Sequence, residues 1–188
     1  MFDDVELRIR KQNKILFTQD SECLQDLGRL ISKQRHTTQV LWAFECLQIP
    51  MEELARKYPD KKEITMAYEL SNSWAHGEIK MPVAKKAILS CHALAREMDE
   101  PYDIALCHGI GQGFSTVHVG KHAMGLVYYE LTAIVIRHGY QDYQSEVLDK
   151  IRFYTEKLNW CTAYMEREGN KIKWADFLVR DGNAEQKK

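Results

Sequence analysis

The middle of the chain is almost free of charged side chains. Charged residues make up 28% of the 188 residues, yet the stretch 101–140 contains only four. They are Asp103, Lys121, Glu130 and Arg137. Because burying a charged group is costly, a stretch with so few of them is expected to lie inside the protein. We therefore predict that 101–140 forms a buried central pair of helices, which the flanking segments cover.

The flanking segments carry the apolar spacing of α-helices. Apolar residues recur every three or four positions over 40–58 and 147–165, which places them on one helical face. No stretch alternates cleanly between apolar and polar residues over six positions, as a half-buried strand would. The sequence predicts an all-α, single-domain bundle of about seven or eight helices. The predicted helices are 21–35, 38–57, 61–76, 82–98, 101–118, 122–138, 142–168 and a short one near 171–179.

Prolines and glycines suggest where several helices begin and end. Pro82 and Pro101 suit the first turn of a helix, and Pro50 is expected to kink or split the helix that contains it. Asp60 followed by Glu63 has the spacing of an N-terminal cap. Three glycines are placed to end helices: Gly77, Gly139 and Gly169.

Composition excludes several classes of protein. The net charge is −1, without the basic excess typical of nucleic-acid binders. The five cysteines include no CxxC pair, which indicates buried free thiols in a reducing compartment. The acidic N-terminus has no apolar signal segment, and no apolar stretch approaches the roughly 20 residues of a membrane helix. We expect a cytoplasmic protein that forms one domain over 1–188, with a frayed tail over 180–188.

Histidines are the candidates for a metal site. His118 and His122 have the i, i+4 spacing that places two imidazoles on one helical face, with His92, His108 or Glu130 as a third ligand. However, the residue after the first histidine is a valine, so the general-base glutamate of zinc-protease helices is missing. Histidines that pack in the core through hydrogen bonds are the favoured interpretation, and no metal or other cofactor is predicted.

No motif points to nucleotide binding or nucleophilic catalysis. The glycines of 109–113 resemble a dinucleotide loop, but the preceding residues are predicted to be helical rather than a strand. We expect these glycines to allow a neighbouring helix to approach closely, or to bend their own helix. Cys91 and Cys107 each precede a histidine, but helical neighbours point about 100° apart, so neither is expected to form a catalytic pair. We predict no catalytic residue.

Trp174 lies in a mixed apolar and charged segment near the C-terminus. Two interpretations remain open for it. It either docks a terminal amphipathic helix onto the bundle or contacts a partner protein.

Five short motifs, in this order, resemble the bacterial putative immunity protein family, an all-helical immunity-like domain of toxin–immunity systems. The motifs are LWAFEC at 41–46, WAHGEI at 74–79, HALAR at 92–96, GQ…TVHV at 111–119 and HAMG at 122–125. The resemblance covers about 38–140. It implies a helical fold and a cytosolic, non-enzymatic protein that neutralises a cognate toxin by occlusion, and it brings no established active site.

The resemblance also gives meaning to particular side chains. His118 and His122 match recurring histidines of the family, and Glu78 and Arg96 match recurring charged positions. Together with His92 they are expected to form a structural polar core. In it, the two charged residues would satisfy buried polar groups between helices and the histidines would lock the central pair.

Three functions follow from these observations. The first is the immunity protein, although the near-neutral charge does not suggest electrostatic capture of a toxin. The second is a helical metal-dependent or small-molecule enzyme, whose cluster would comprise His92, His108, His118 and His122. The third is a structural homo-oligomer, such as a homodimer, in which the helix 142–168 pairs with its symmetry mate. Neither nucleic acid nor a membrane is expected as a partner.

Overall fold

The computed structural model describes residues 1–184. Over this range the secondary structure consists of nine α-helices and three 3₁₀ turns, without strands. The helices are α1 (Asp3–Arg10), α2 (Gln25–Ser32), α3 (His36–Lys57), α4 (Glu63–Ala75), α5 (Met81–Leu94), α6 (Pro101–Ser115), α7 (His122–Arg137), α8 (Gln144–Glu168) and α9 (Asp176–Ala184). The 3₁₀ turns are Glu22–Leu24, Ala95–Glu97 and Gly169–Lys171. The predicted all-α class is confirmed, although α1 was not predicted.

The weakly charged stretch forms the centre of the bundle, as predicted. Its two helices, α6 and α7, pack against each other more extensively than any other pair of elements. Helices α3, α4 and α5 pack against α6, and α8 packs against α3 and α7. Cys107, Ile110 and Phe114 of α6 are fully buried, as are Val127 and Leu131 of α7. The core therefore surrounds this helix pair.

Several predicted boundaries differ from the structure. Helix α3 continues through Pro50 without being split. Helix α4 begins at Glu63 after Lys62, and no side-chain cap bond forms there, so the predicted Asp60 cap is wrong. Helix α6 ends at Ser115 rather than at 118, because a turn connects it to α7.

Two of the three predicted glycine stops adopt the left-handed conformation. Gly77, after α4, has φ 75°, and Gly139, after α7, has φ 59°. Both conformations are disfavoured for residues with a side chain. Gly169 directly follows α8, but its φ of −56° is right-handed and it begins a 3₁₀ turn.

The C-terminal segment docks on the end of α4. The Ala175 N–H donates to the carbonyl oxygen of Ala75 at 2.8 Å, and His76 Nδ1 lies 2.8 Å from the carbonyl oxygen of Lys173. The Trp174 ring stacks on His76 with a centroid distance of 5.4 Å. Trp174 therefore contributes to docking the terminal segment, and its contact with a partner protein stays a prediction. Of the predicted tail 180–188, residues 180–184 belong to α9 and residues 185–188 lie outside the described range.

The cysteines are unpaired, as the sequence predicts. All five cysteines are free thiols; Cys23 is half-buried and the other four are buried. Within residues 1–184, no helix combines the length and the apolar character needed to span a membrane.

Candidate functional site

Three half-buried histidines lie along the contacts that α6 makes with α5 and α7. His92 on α5 and His108 on α6 face each other, with their Nδ1 atoms 3.5 Å apart and their ring centroids 5.8 Å apart. A hydrogen bond between two Nδ1 atoms requires one ring to donate and the other to accept, so at least one ring must be neutral. The Tyr129 ring of α7 packs 5.3 Å from His108.

The third histidine joins α6 to α7 through an amide. His122, the first residue of α7, places its Nδ1 2.6 Å from Oε1 of Gln112 on α6. The amide oxygen can only accept, so the ring N–H donates. Gly125 provides the space for this amide, because a Cβ at that position would lie 2.5 Å from Gln112 Oε1.

Glycines of α6 allow the close packing that surrounds these histidines. A Cβ on Gly111 would lie 2.5 Å from the His92 ring, and a Cβ on Gly113 would lie 2.6 Å from Leu47 of α3. A Cβ on Gly109 would lie 3.2 Å from the Cβ of Tyr129. The predicted close approach is confirmed. The glycines lie inside a helix rather than in a loop after a strand, so the resemblance to a dinucleotide loop has no structural counterpart.

The surroundings of the three rings disfavour their protonated forms. Burial is the main cause that lowers the pKa of His92, His108 and His122. Neighbouring positive charge adds to the effect: His108 and His122 act on His92, Arg96 acts on His108, and His118 acts on His122. At neutral pH these rings therefore serve as neutral hydrogen-bonding and packing groups.

Other members of the predicted polar core lie elsewhere. His118 is exposed in the turn after α6, where its ring lies 6.0 Å from Trp74. The prediction placed His118 and His122 on one helical face. Because α7 begins only at His122, His118 lies outside the helix and the two do not share a face.

The expectation that Glu78 and Arg96 satisfy buried polar groups is wrong, because both side chains are exposed. Glu78 lies in the connection after Gly77, and Arg96 lies in the 3₁₀ turn that follows α5. The turns that end α4 and α5 carry both charges out to the surface.

The four histidines do not converge on one cavity. A cavity of about 830 Å³, lined in part by His108, Tyr129 and Tyr140, includes none of the other three. Among the side chains that the structure describes, those of residues 1–180, no group of three or more His, Cys, Asp or Glu is arranged to hold a metal ion. The histidine cluster thus joins three helices, and its geometry gives no support to the predicted metal or enzyme alternative.

Two buried carboxylates are structural features that the sequence did not reveal. Glu130 on α7 accepts a hydrogen bond from the Tyr154 hydroxyl and lies 2.5 Å from Lys150 Nζ, both on α8. Asp103 on α6 similarly contacts Lys57 Nζ and the Tyr58 hydroxyl, each at 2.5 Å. The hydrogen bond from the Tyr58 hydroxyl to Asp103 is the main cause that raises the pKa of Tyr58 to about 12. The signal was available, because both carboxylates are among the four charges of 101–140.

The long helix α8 uses most of its apolar face within the monomer. The buried residues are Val147, Tyr154, Leu158 and Cys161. Trp160 is 46% exposed and stacks on Tyr164 with a centroid distance of 5.3 Å. Leu148 of the same helix is 38% exposed. The homodimer along this helix stays a prediction.

Comparison with known proteins identifies the family. The family model described as Imm-5 like putative immunity protein matches residues 29–157. The chain belongs to this family. The matched range covers α3 to α7 and most of α8, and it is wider than the 38–140 over which the sequence motifs resemble immunity proteins. No curated protein and no solved structure matches the chain.

The histidine cluster of this immunity-family protein is expected to make its stability depend on pH. The folded state lowers the pKa values below the ordinary 6.5, so the unfolded chain takes up protons first as the pH falls. We expect the free energy of unfolding, measured with urea, to decrease between pH 7.5 and pH 5.5. The double variant His92→Gln/His108→Gln should show a smaller decrease, and an unchanged decrease would contradict the prediction. The pKa of Glu146 is lowered from its ordinary 4.5, so its protonation affects the free energy of unfolding only below about pH 4.5, outside this window.

Proposed function

We propose that the protein is a non-enzymatic immunity protein that binds a cognate bacterial toxin in the cytoplasm and blocks it by covering its surface. The observation that carries the proposal is the family match over residues 29–157. The location agrees with five cysteines that are all free thiols, since such thiols persist in a reducing compartment.

The structure suits inhibition by occlusion. A bundle whose central helices are fastened by ion pairs to two buried carboxylates and by glycine-mediated close packing presents a preformed surface. A preformed surface loses little conformational entropy when it binds, which favours a tight complex. A stable complex of this kind buries roughly 800 Å² on each partner. The enzyme alternative receives less support, because the histidines that would carry it do not meet in one cavity.

Co-expression with a candidate toxin encoded beside the gene tests the proposal. We expect the protein to restore growth to cells that express this toxin, while the empty plasmid does not. The purified proteins should co-elute as one complex in size-exclusion chromatography with light scattering, which also reports whether the immunity protein alone is a dimer. If growth is not restored and no complex forms, the proposal is wrong.

Stoichiometry separates occlusion from catalysis. An occluding protein must cover each toxin molecule, so inhibition of the purified toxin should become complete only near equimolar amounts. Full protection by a small fraction of an equivalent would mean that the protein turns over and would contradict the proposed mechanism.

A further inference from the structure

A groove of about 1630 Å³ lies on the N-terminal side of the bundle. It is lined by residues of the segment 13–20, of α2, of the beginning of α3 and of the turn 119–121. Apolar side chains also line it, among them the buried Phe17 and the half-buried Tyr128. We refer to it as the basic groove, for the charges described next.

The charged side chains of the groove are almost all of one sign. One acidic residue, Asp20, lines it together with six basic ones. The basic residues are Arg8, Lys14, Arg29, Lys33, Arg35 and Lys121. Because the whole chain has a net charge of −1, the rest of the molecule is net acidic. The folded protein therefore separates its charges, although the composition is nearly balanced.

Four of these cations are available to a ligand. Lys14, Lys33, Arg35 and Lys121 are exposed, and none of them forms an ion pair with an Asp or Glu among the residues that the structure describes. Of the other two, Arg29 pairs with Asp26 and Arg8 donates to the Thr18 hydroxyl.

The two sides of the groove are held in place by side-chain hydrogen bonds. His36 Nε2 lies 2.7 Å from the carbonyl oxygen of Thr116, which ties the start of α3 to the turn before α7. The Gln39 amide donates to the carbonyl oxygen of Ile31 at 2.9 Å, and a Cβ on Gly120 would collide with its Oε1. The positions of the backbone that carries Lys33, Arg35 and Lys121 are thus fixed before any ligand binds.

We propose that the basic groove binds an acidic segment on the surface of the partner protein. The inference rests on the proposed function and names the surface through which the immunity protein would engage its toxin. Complementary charge speeds encounter and selects the partner, and the apolar side chains of the groove add contact area. A nucleic acid fits less well, because its phosphates extend beyond the groove and would meet the net acidic remainder of the protein.

Reversal of the groove charges tests the inference in the full-length protein. The test variant is Lys33→Glu/Arg35→Glu/Lys121→Glu, and the matched control is Lys80→Glu/Lys85→Glu/Lys86→Glu at the beginning of α5. All six side chains are exposed, and both variants change the net charge equally. Thermal unfolding monitored by circular dichroism checks folding. The neutral variant Lys33→Gln/Arg35→Gln/Lys121→Gln serves instead if the reversed one is unfolded.

The readout is the affinity for the co-encoded toxin. We expect the groove variant to bind about 10- to 100-fold more weakly, mainly through slower association, while the control stays within a few-fold of the wild type. Raising the salt concentration should also weaken binding of the wild type, because salt screens the attraction between the basic groove and the toxin. If the wild type protects cells and the groove variant binds equally well, the groove inference is wrong and the proposed function stands.

A second arm decides the inference if the wild type does not bind that toxin at all, an outcome that would overturn the proposed function. The probes are a fluorescent glutamate-rich peptide and a single-stranded RNA of equal length. Salt-sensitive binding of the peptide that the groove variant loses supports an acidic protein ligand. No binding of the peptide, or tighter binding of the RNA, overturns the inference.

Discussion

The variant Lys150→Met is expected to lose about 3–5 kcal/mol of its free energy of unfolding, because it leaves the buried Glu130 without a counter-charge. Glu130 is 6% exposed, and Lys150 Nζ lies 2.5 Å from its carboxylate. Lys150 Nζ also lies over the rings of Phe153 and Tyr154, 4.8 and 5.2 Å from their centroids, so the substitution removes these cation–π contacts together with the ion pair. Methionine keeps a side chain of similar length and apolar character. Equilibrium urea unfolding at pH 7.5 measures the loss.

Two further variants show whether the buried charge is the cause. Lys157 lies on α8, like Lys150, and pairs with Glu45 of α3. That pair is partly exposed, so Lys157→Met should cost less than about 1 kcal/mol. The double variant Glu130→Gln/Lys150→Met removes both charges and retains an acceptor for the Tyr154 hydroxyl. It should recover most of the stability, as is common when both members of a buried pair are neutralised. Equal losses in the Lys150 and Lys157 variants would contradict the argument.

Gly113→Val is expected to destabilise the protein by about 3 kcal/mol, at the upper end of the range for overpacked cores. Even a Cβ at this position would lie within 2.9 Å of three side-chain atoms of Leu47. Leu47 is fully buried and cannot turn into solvent. The strain must therefore move α3 relative to α6, and thermal or urea unfolding would report it.

A second glycine and a compensating variant provide the controls. At Gly28, a Cβ would contact only Met124 Cε at 3.8 Å, so Gly28→Val should change stability by less than about 1 kcal/mol. Leu47→Ala alone should cost about 2–5 kcal/mol through the cavity that it leaves. The double variant Gly113→Val/Leu47→Ala conserves volume and should be less destabilised than the sum of the two. Simple additivity would mean that this contact does not limit packing.

The helices could be predicted with fair accuracy from patterns among residues that are close in sequence. The three- and four-residue spacing of apolar side chains placed α3 and α8, and Pro101 and Gly139 marked the beginning of α6 and the end of α7. These signals succeed because a helix repeats over a few residues. Helix α1 is an exception, because in a short N-terminal helix with only one buried residue, Val5, tertiary packing matters more than periodicity.

The polar network could not be predicted in the same way. The motifs led us to expect Glu78 and Arg96 in the core, but turns direct both to the surface, while Glu130 and Asp103 lie inside. The partners of Glu130 lie on α8, about 20 residues further along the chain. Such pairings depend on which helices pack together and on their rotation, and neither is contained in a local pattern.

The sequence alone determined the helical class, the buried position of the weakly charged centre and the resemblance to immunity proteins, because these depend on local spacing, on the cost of burying charge and on motif order. Only the tertiary structure decided which cations pair with the two buried carboxylates, that His92 meets His108 while His118 stays outside, and that scattered lysines and arginines border one groove. The physical reason is that side chains far apart in sequence become neighbours only when helix packing sets the distance and the orientation between them.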